Sequence, residues 1–427
     1  MVTIDELTKL DRSKFTKAAE AWSKVSNRAS VAMGRVESQM LATLRGTQEG
    51  DAAKASLKQL TRLSKNYQYI HAECGLIRTA LSGLAEELEG PQNKLKQALK
   101  DAEDLKFTVN PDGSVNFPTT EATKVPFLQQ PARAGGLPLV ANSDSNQAKA
   151  QEIADRIATA LQDAHDTDGR YAGVLKKLNT NGKLDQTDWA DVAQDLKDVQ
   201  LAAHKYSAEL KGRKGKSPKE NFDWWNKQPQ ARKDEFIALF PDAIGNLDGI
   251  PSAVRDKANR DYLPILMAKL DGQDDDKSQT QLKGLKLIDQ RLKEETYPPM
   301  FLLGIGDKGN GRAIVSFGDP DNSKNVAAYV PGLDTMLNED FAKGGINRAK
   351  QTFLEARKFN KSTASIVWLG YDAPQMGNVQ SLRISLTSCL MTTPKRAPRT
   401  MTDSSTGYVP LVRDRICMQP RADSKSW

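Results

Sequence analysis

Cysteine is scarce in this 427-residue chain. The three present, Cys74, Cys389 and Cys417, are odd in number and far apart, which excludes a disulfide framework and a zinc-ligand spacing and fits a reducing compartment. Long apolar runs are missing as well: mean hydropathy is -0.58, and no stretch approaches the roughly 18 apolar residues of a membrane span. The opening MVTIDELTKL carries acids where a signal peptide needs a basic and then an apolar start. Export through the general secretory route is not expected, and the expected location is the cytoplasm. Histidine is limited to His71, His165 and His204. No metal or cofactor is expected.

A basic domain is also lacking, although the net charge is +7. Residues 376–427 hold eight Lys and Arg against three Asp, and so +5 of that charge. The rest of the chain is nearly neutral, which leaves no electrostatic footprint for specific nucleic-acid binding.

What the chain has, first, is helical periodicity. Phe15, Ala18, Ala19, Trp22, Val25, Val36, Met40 and Leu44 form one apolar series, and Leu57, Leu60, Leu63, Tyr67, Ile70, Leu81, Leu84 and Leu88 a second. RGTQEGD separates them, which predicts an antiparallel helical hairpin whose apolar stripe must find a partner. GPQ at residues 90–92 punctuates the second helix, and a shorter helix runs to about Leu105. KFTVNPDGSVNFP, residues 106–118, reads as a short β-hairpin; Pro118, Pro126, Pro131, Gly135, Gly136 and Pro138 make 118–145 a linker. AKAQEIADRIATALQDA and TDWADVAQDLKDVQLAAHKYSAEL predict a second helical pair, with Thr187 capping its second member.

The hairpin resembles the W-x-G family of type VII secretion. The matching turn positions are Gln48, Glu49 and Gly50, followed by Asp51-Ala52-Ala53, so the tryptophan is replaced. YIHAE, Tyr69 to Glu73, has the Tyr-x-x-x-Asp/Glu form of that family's export signal, inside the second helix. The resemblance implies a small helical partner, or self-association through the helical domain, and a signal-peptide-independent export route as the alternative to the cytoplasm.

Several strings look like ligand motifs and fail on chemistry. HDTDG and LNTNGK resemble calcium loops but lack the leading carboxylate and the closing Glu, and are read as turns. GKS at 215–217 has no glycine five positions earlier and follows a helix, so it is no phosphate loop. GIGDKG at 304–309 is followed by a strand, RAIVSFG, rather than a helix, and is read as a hairpin turn.

Residues 221–375 resemble a bacterial α/β-hydrolase-like family. The strings that carry this are the paired Trp224-Trp225, PDAIGNLDGIP with Gly245, Asn246, Asp248 and Gly249, Arg255-Asp256 with Asn259-Arg260, then FLLGIG, GRAIVSFGDPDN, NVAAYVPGLDT and IVWLGYDAP with Gly370, Tyr371 and Asp372. The residues agree: short Val- and Ile-rich runs, the last two separated by a helix over 345–359, form the βα alternation of a sheet covered on both faces. The expected fold is therefore α plus α/β, a helical hairpin or bundle followed by a partial α/β-hydrolase-type sheet. The expected domains are 1–106, a hairpin and linker over 107–145, a helical pair over 146–216, the hydrolase-like part over 217–375 and a basic tail over 376–427. In this fold the loop after the third strand gives a backbone N–H to the oxyanion hole, which nominates Pro331, Gly332, Leu333 and Asp334; a plain strand-ending turn is the alternative.

The family's chemistry should follow, with a Ser nucleophile in G-x-S-x-G, then an acid and a late His. No G-x-S-x-G occurs, and all three histidines precede the sheet, so no catalytic residue is assigned, whether Ser316, Ser365 or Cys389. After Gln375 the composition turns to Arg, Pro, Ser and Thr without Glu, as expected of a truncated hydrolase. Losing the next strand should leave VAAYV, 326–330, as an edge that invites self-association. SLRISLTSCLM, 381–391, alternates well enough to pair with that edge.

Overall fold

The computed structural model describes residues 2–118, 143–178, 188–294 and 297–376. The interior of the expected linker, LNTNGK beyond Leu178, Thr187, the tail beyond Met376 with its alternating stretch 381–391, Cys389 and Cys417 lie outside the described residues. The chain forms two compact units, one from Met1–Lys24, Ile77–Thr180 and Asp198–Ala208, the other from Val25–Leu76, Asn181–Lys197 and Glu209–Trp427.

The predicted hairpin of long helices forms. Helix Ser13–Arg35 runs through a π-helical turn, Val36–Leu41, into Ala42–Thr47, and helix Asp51–Glu87 returns. The reversal falls at Gln48–Gly50, where Gly50 takes φ 99°, a backbone conformation that costs glycine little. Only part of the predicted stripe is covered: Ala19 and Val36 are buried, whereas Val25 and Met40 are exposed.

In the first unit, helices Ile4–Lys9, Glu89–Asp104 and Ser143–Lys177 join the outer portions of that hairpin, beside strands β1 (Thr108–Val109) and β2 (Val115–Asn116). The β-hairpin pairs Thr108 with Asn116 as the NPDG signal predicts. HDTDG is not a turn: it lies inside Ser143–Lys177. Apolar residues at helical spacing on both sides, Ile157, Ala160, Ala164, Tyr171 and Val174, are buried, and burying that stripe outweighs the weak helix preference of Asp, Thr and Gly. The second helix of the pair is also corrected. It breaks at Ala203 into Trp189–Ala202 and His204–Lys211, and its cap is Asp188, whose Oδ1 accepts from the Ala190 and Asp191 N–H groups at 2.9 and 3.3 Å.

The second unit holds the sheet. Helix Pro218–Lys227 begins at a capping box in which Ser217, the last residue of GKS, accepts from Glu220 N–H while Glu220 accepts from Ser217 N–H. Four strands follow, β3 (Met300–Gly306), β4 (Arg312–Phe317), β5 (Asn325–Tyr329) and β6 (Thr363–Leu369), in the order β3-β4-β6-β5. The β3/β4 and β4/β6 pairs are antiparallel and β5/β6 is parallel. Helix Ile346–Phe359 makes the β5-to-β6 crossover that a parallel pair requires. GIGDKG closes the β3–β4 hairpin, as expected.

One face of the sheet, with Leu302, Val315, Phe317 and Val367, packs on helices Ser252–Asp271, Asp276–Glu294 and Ile346–Phe359 through Leu266, Leu285 and Phe353. On the other face Ser316, Ala364 and Ile366 are buried too. The fold is α plus α/β, and β5, like β3, is a terminal strand of the described sheet, its residues half-exposed.

Candidate functional site

β3 and β6 each run antiparallel to β4, and β5 runs parallel to β6, so β3, β5 and β6 end at the same side of the sheet. In sheets of this kind the loops at the carboxyl ends of the strands form the ligand-binding side. Three segments meet there: the 307–311 turn, the loop after β5 and residues 370–376 after β6.

Asp372 ties the first to the third. Its two carboxylate oxygens accept a fork from Arg312 at 2.8 Å each, and Oδ1 also accepts from Asn310 N–H at 2.7 Å. The Arg312 hydrogen bonds hold this carboxyl well below the usual range, at about 2. Gly309, at φ 60°, packs on the same carboxylate, and a Cβ there would overlap it. An aspartate committed in this way fixes geometry rather than moving protons.

The four loop candidates are brought together. Tyr371 Oη donates to the Pro331 carbonyl at 2.5 Å, and the Tyr371 ring stacks on Trp368 with 6.0 Å between centroids. Asp334, at φ 60°, donates its N–H to the Pro374 carbonyl at 2.8 Å, and its Oδ1 accepts from Met376 N–H at 2.7 Å. Between these two anchors, the Gly332 and Leu333 N–H groups meet no acceptor among the described residues. Space lies open beside Gly332, where a Cβ would meet nothing within 4 Å. The loop is thus pinned at both ends, with its middle amides free of partners among the described residues.

The remaining motif residues do a different job. β3 has β4 on one side only, and on its outer side polar side chains stand where a neighbouring strand would be. Leu302 N–H donates to Asp256 Oδ1 at 2.6 Å, and the Leu302 carbonyl accepts from Asn259 Nδ2 at 2.9 Å. Arg260 donates to the Met300 carbonyl at 2.8 Å, and Asn246 Nδ2 to the Ile305 carbonyl at 3.0 Å. Gly245 has no room for a Cβ against Asn259, and its carbonyl accepts from Asn259 and Arg255. Gly249, at φ 93°, packs on the Pro218 backbone, and Asp248 pairs with Arg255 at 3.5 Å while its carbonyl accepts from Asn221. Trp225 is buried; Trp224 donates to Glu209 at 2.8 Å and meets Phe236 edge-on. Gly370 lies against the Trp368 ring. The sequence motif marks these positions without revealing that Asp256 and Arg260 work on the strand; their i,i+4 spacing is the local signal, and Arg312 as the partner of Asp372 has none.

No nucleophile–base pair stands at this end of the sheet among the described residues. Ser316 is buried and donates to the Gly318 carbonyl at 2.9 Å, and Ser365 is buried within β6. His71 does sit near a serine and an aspartate, with Nδ1 2.8 Å from Ser26 Oγ and Nε2 3.8 Å from Asp261. Ser26 Oγ, however, donates to the His71 carbonyl at 2.9 Å, and the group is enclosed between helices. Burial pulls the imidazole down, yet Asp261 and the Ser26 carbonyl outweigh it and hold the pKa above its usual value. It is a polar clasp.

Residues 307–397 match the model of a family described as alpha/beta hydrolase. The match runs past Gln375, where the sequence motifs end, and begins well after residue 221. Among curated proteins, the uncharacterized protein Rv2079 of Mycobacterium tuberculosis (strain ATCC 25618 / H37Rv) is 27% identical over 181 residues, covering 35% of this chain and 28% of that protein. The uncharacterized protein Rv0963c of the same strain and Mb0988c of Mycobacterium bovis are 36% identical over 102 residues, covering 21% of this chain and 38% of each. The chain spans well under half the length of these relatives. No solved structure matches it. The sheet region is alpha/beta-hydrolase-like. No helix among the described residues is long and apolar enough to cross a membrane.

Proposed function

We propose that the second unit carries the oxyanion side of a serine-hydrolase scaffold, whose complete relatives would cleave ester or amide bonds, and that this chain supplies neither the nucleophile nor the base. The observation that carries it is the loop Pro331–Asp334, pinned by Tyr371 and Pro374, with the Gly332 and Leu333 amides unpaired among the described residues. Free N–H groups fixed at the carboxyl end of a sheet suit a developing oxyanion. Against turnover stand the absence of G-x-S-x-G and the position of every histidine before β3. The test is labelling with a fluorophosphonate probe alongside p-nitrophenyl acetate hydrolysis. No label and a rate equal to buffer are expected; a serine adduct with turnover overturns the reading.

A second reading takes the helical hairpin as an interaction or type VII export module with the hydrolase-like part as passenger. The turn at Gln48–Gly50, at the positions matched to W-x-G, favours it. Secretion of the chain dependent on Tyr69 and Glu73 would support export, and retention with both residues intact would remove it.

A further inference from the structure

The tip of the helical hairpin, within the second unit, carries a groove between its two antiparallel helices. Its outer part, about 760 Å³, is lined by Met40, Leu44 and Leu60, and its inner part, about 550 Å³, by Val31, Met40 and Leu63. Met40 belongs to both parts. The cause is the π-helical turn at Val36–Leu41: Val36 and Leu41 are both buried, and the extra residue carried by a π turn leaves Met40 between them 49% exposed. Val31 is 57% exposed in the same groove.

Charge says what fits. Arg28 and Arg35 line the inner part, and neither side chain makes an ion pair or hydrogen bond among the described residues. No carboxylate among them lines either part. Over residues 25–76 there are seven Lys and Arg against four Asp and Glu, and one of those acids, Glu37, already accepts from Ser64 at 2.7 Å. A second copy of the hairpin would bring like charges together. A flat lipid surface does not enter a concave furrow between two helices, whereas the ridge of a third helix does.

We propose that this groove binds an amphipathic α-helix whose apolar ridge is flanked by carboxylates. The run from Arg28 to Thr47 is long enough to seat a helix of about 20 residues, roughly 30 Å. Met40 supplies the adaptable apolar contact at the centre, as an unbranched thioether does, and Arg28 and Arg35 pair with carboxylates on one flank. The inference stands apart from the hydrolase reading. It deepens the interaction reading of the hairpin, and binding in solution tests it separately from export.

The full chain should be titrated by fluorescence anisotropy with two synthetic helical peptides of about 20 residues, both with a leucine ridge, one flanked by Glu and the other by Lys. The Glu peptide is expected to bind roughly tenfold tighter at low salt, with the gap narrowing as salt is added. Met40→Glu should weaken it by about tenfold or more with an unchanged melting temperature. Arg28→Glu with Arg35→Glu should reverse the preference toward the Lys peptide, a gain that misfolding cannot produce. Equal binding of both peptides, binding that survives Met40→Glu, binding only to vesicles containing anionic lipid, or self-association abolished by Met40→Glu would each overturn the proposal.

Discussion

One amide nitrogen, Asn259 Nδ2, donates at 2.9 Å to two carbonyls, those of Gly245 and Leu302, and so joins a helical turn to the outer edge of β3. The group is wholly buried. Asn259→Ala leaves the Leu302 carbonyl without a donor and the Gly245 carbonyl with Arg255 alone, and is expected to cost roughly 2–4 kcal/mol by urea denaturation. Asn259→Asp should be worse near neutral pH, where a carboxylate would face two carbonyls. It should recover part of the loss as the pH falls, because the protonated acid can donate once.

Glu73 is expected to make the second unit less stable as pH rises from 4.5 to about 8. It is 2% exposed, its Oε1 has no hydrogen-bond partner among the described residues, and the acids facing it are Asp195 and Asp191. Burial first, and then those two acids, push its carboxyl up to about 8 from 4.5. Between those values the unfolded chain has lost the proton and the folded chain keeps it, so stability falls as pH rises through that window. Glu73→Gln should flatten the decline and raise stability by roughly 2 kcal/mol at about pH 8, read as denaturation midpoints at pH 5 and 8.

Gly83 illustrates a case where helix propensity misleads. Glycine to alanine inside a helix ordinarily gains about 1 kcal/mol. Here the new Cβ would lie 2.5 Å from Tyr171 Oη, and that hydroxyl is held by Glu87 at 2.9 Å while Glu87 is held by Arg170 at 2.6 Å. Overpacking of this kind costs about 1–3 kcal/mol. Gly83→Ala is expected to lower the melting temperature, and Gly83→Ala combined with Tyr171→Phe to restore part of it.

The Arg312–Asp372 fork should show itself at acid pH. With the folded carboxyl at about 2 and its ordinary value 3.8, its contribution is present above the ordinary value and is lost as pH falls through the folded one. The Asp372 side chain is half exposed, so solvent screens the pair and the effect is below about 1 kcal/mol. Asp372→Asn should remove that acid-side loss, and higher proteolytic susceptibility at the 307–311 turn should accompany it.

The strands were legible because each is a short apolar run, and β5 as a terminal strand of the described sheet agrees with the edge expected at 326–330. The helix through HDTDG was hidden because its evidence lies in Ile157 and Tyr171 on either side, not in the polar residues between. The loop at Pro331–Asp334 was found as a motif, but the Tyr371 and Pro374 anchors are made across about 40 residues of chain, which no local pattern reports. Asn246 and Asn259 read only as family-motif residues. Their role needs the position of β3, and that exists only once the sheet has formed.

The side chains along β3 give this sheet a direction. Asp256, Asn259, Arg260 and Asn246 terminate one border as an end-blocking group terminates a polymer, while at β5 the described residues place no such group. A further strand could pair with β3 only by displacing those four side chains, so the order in which the sheet can grow is written into its helices.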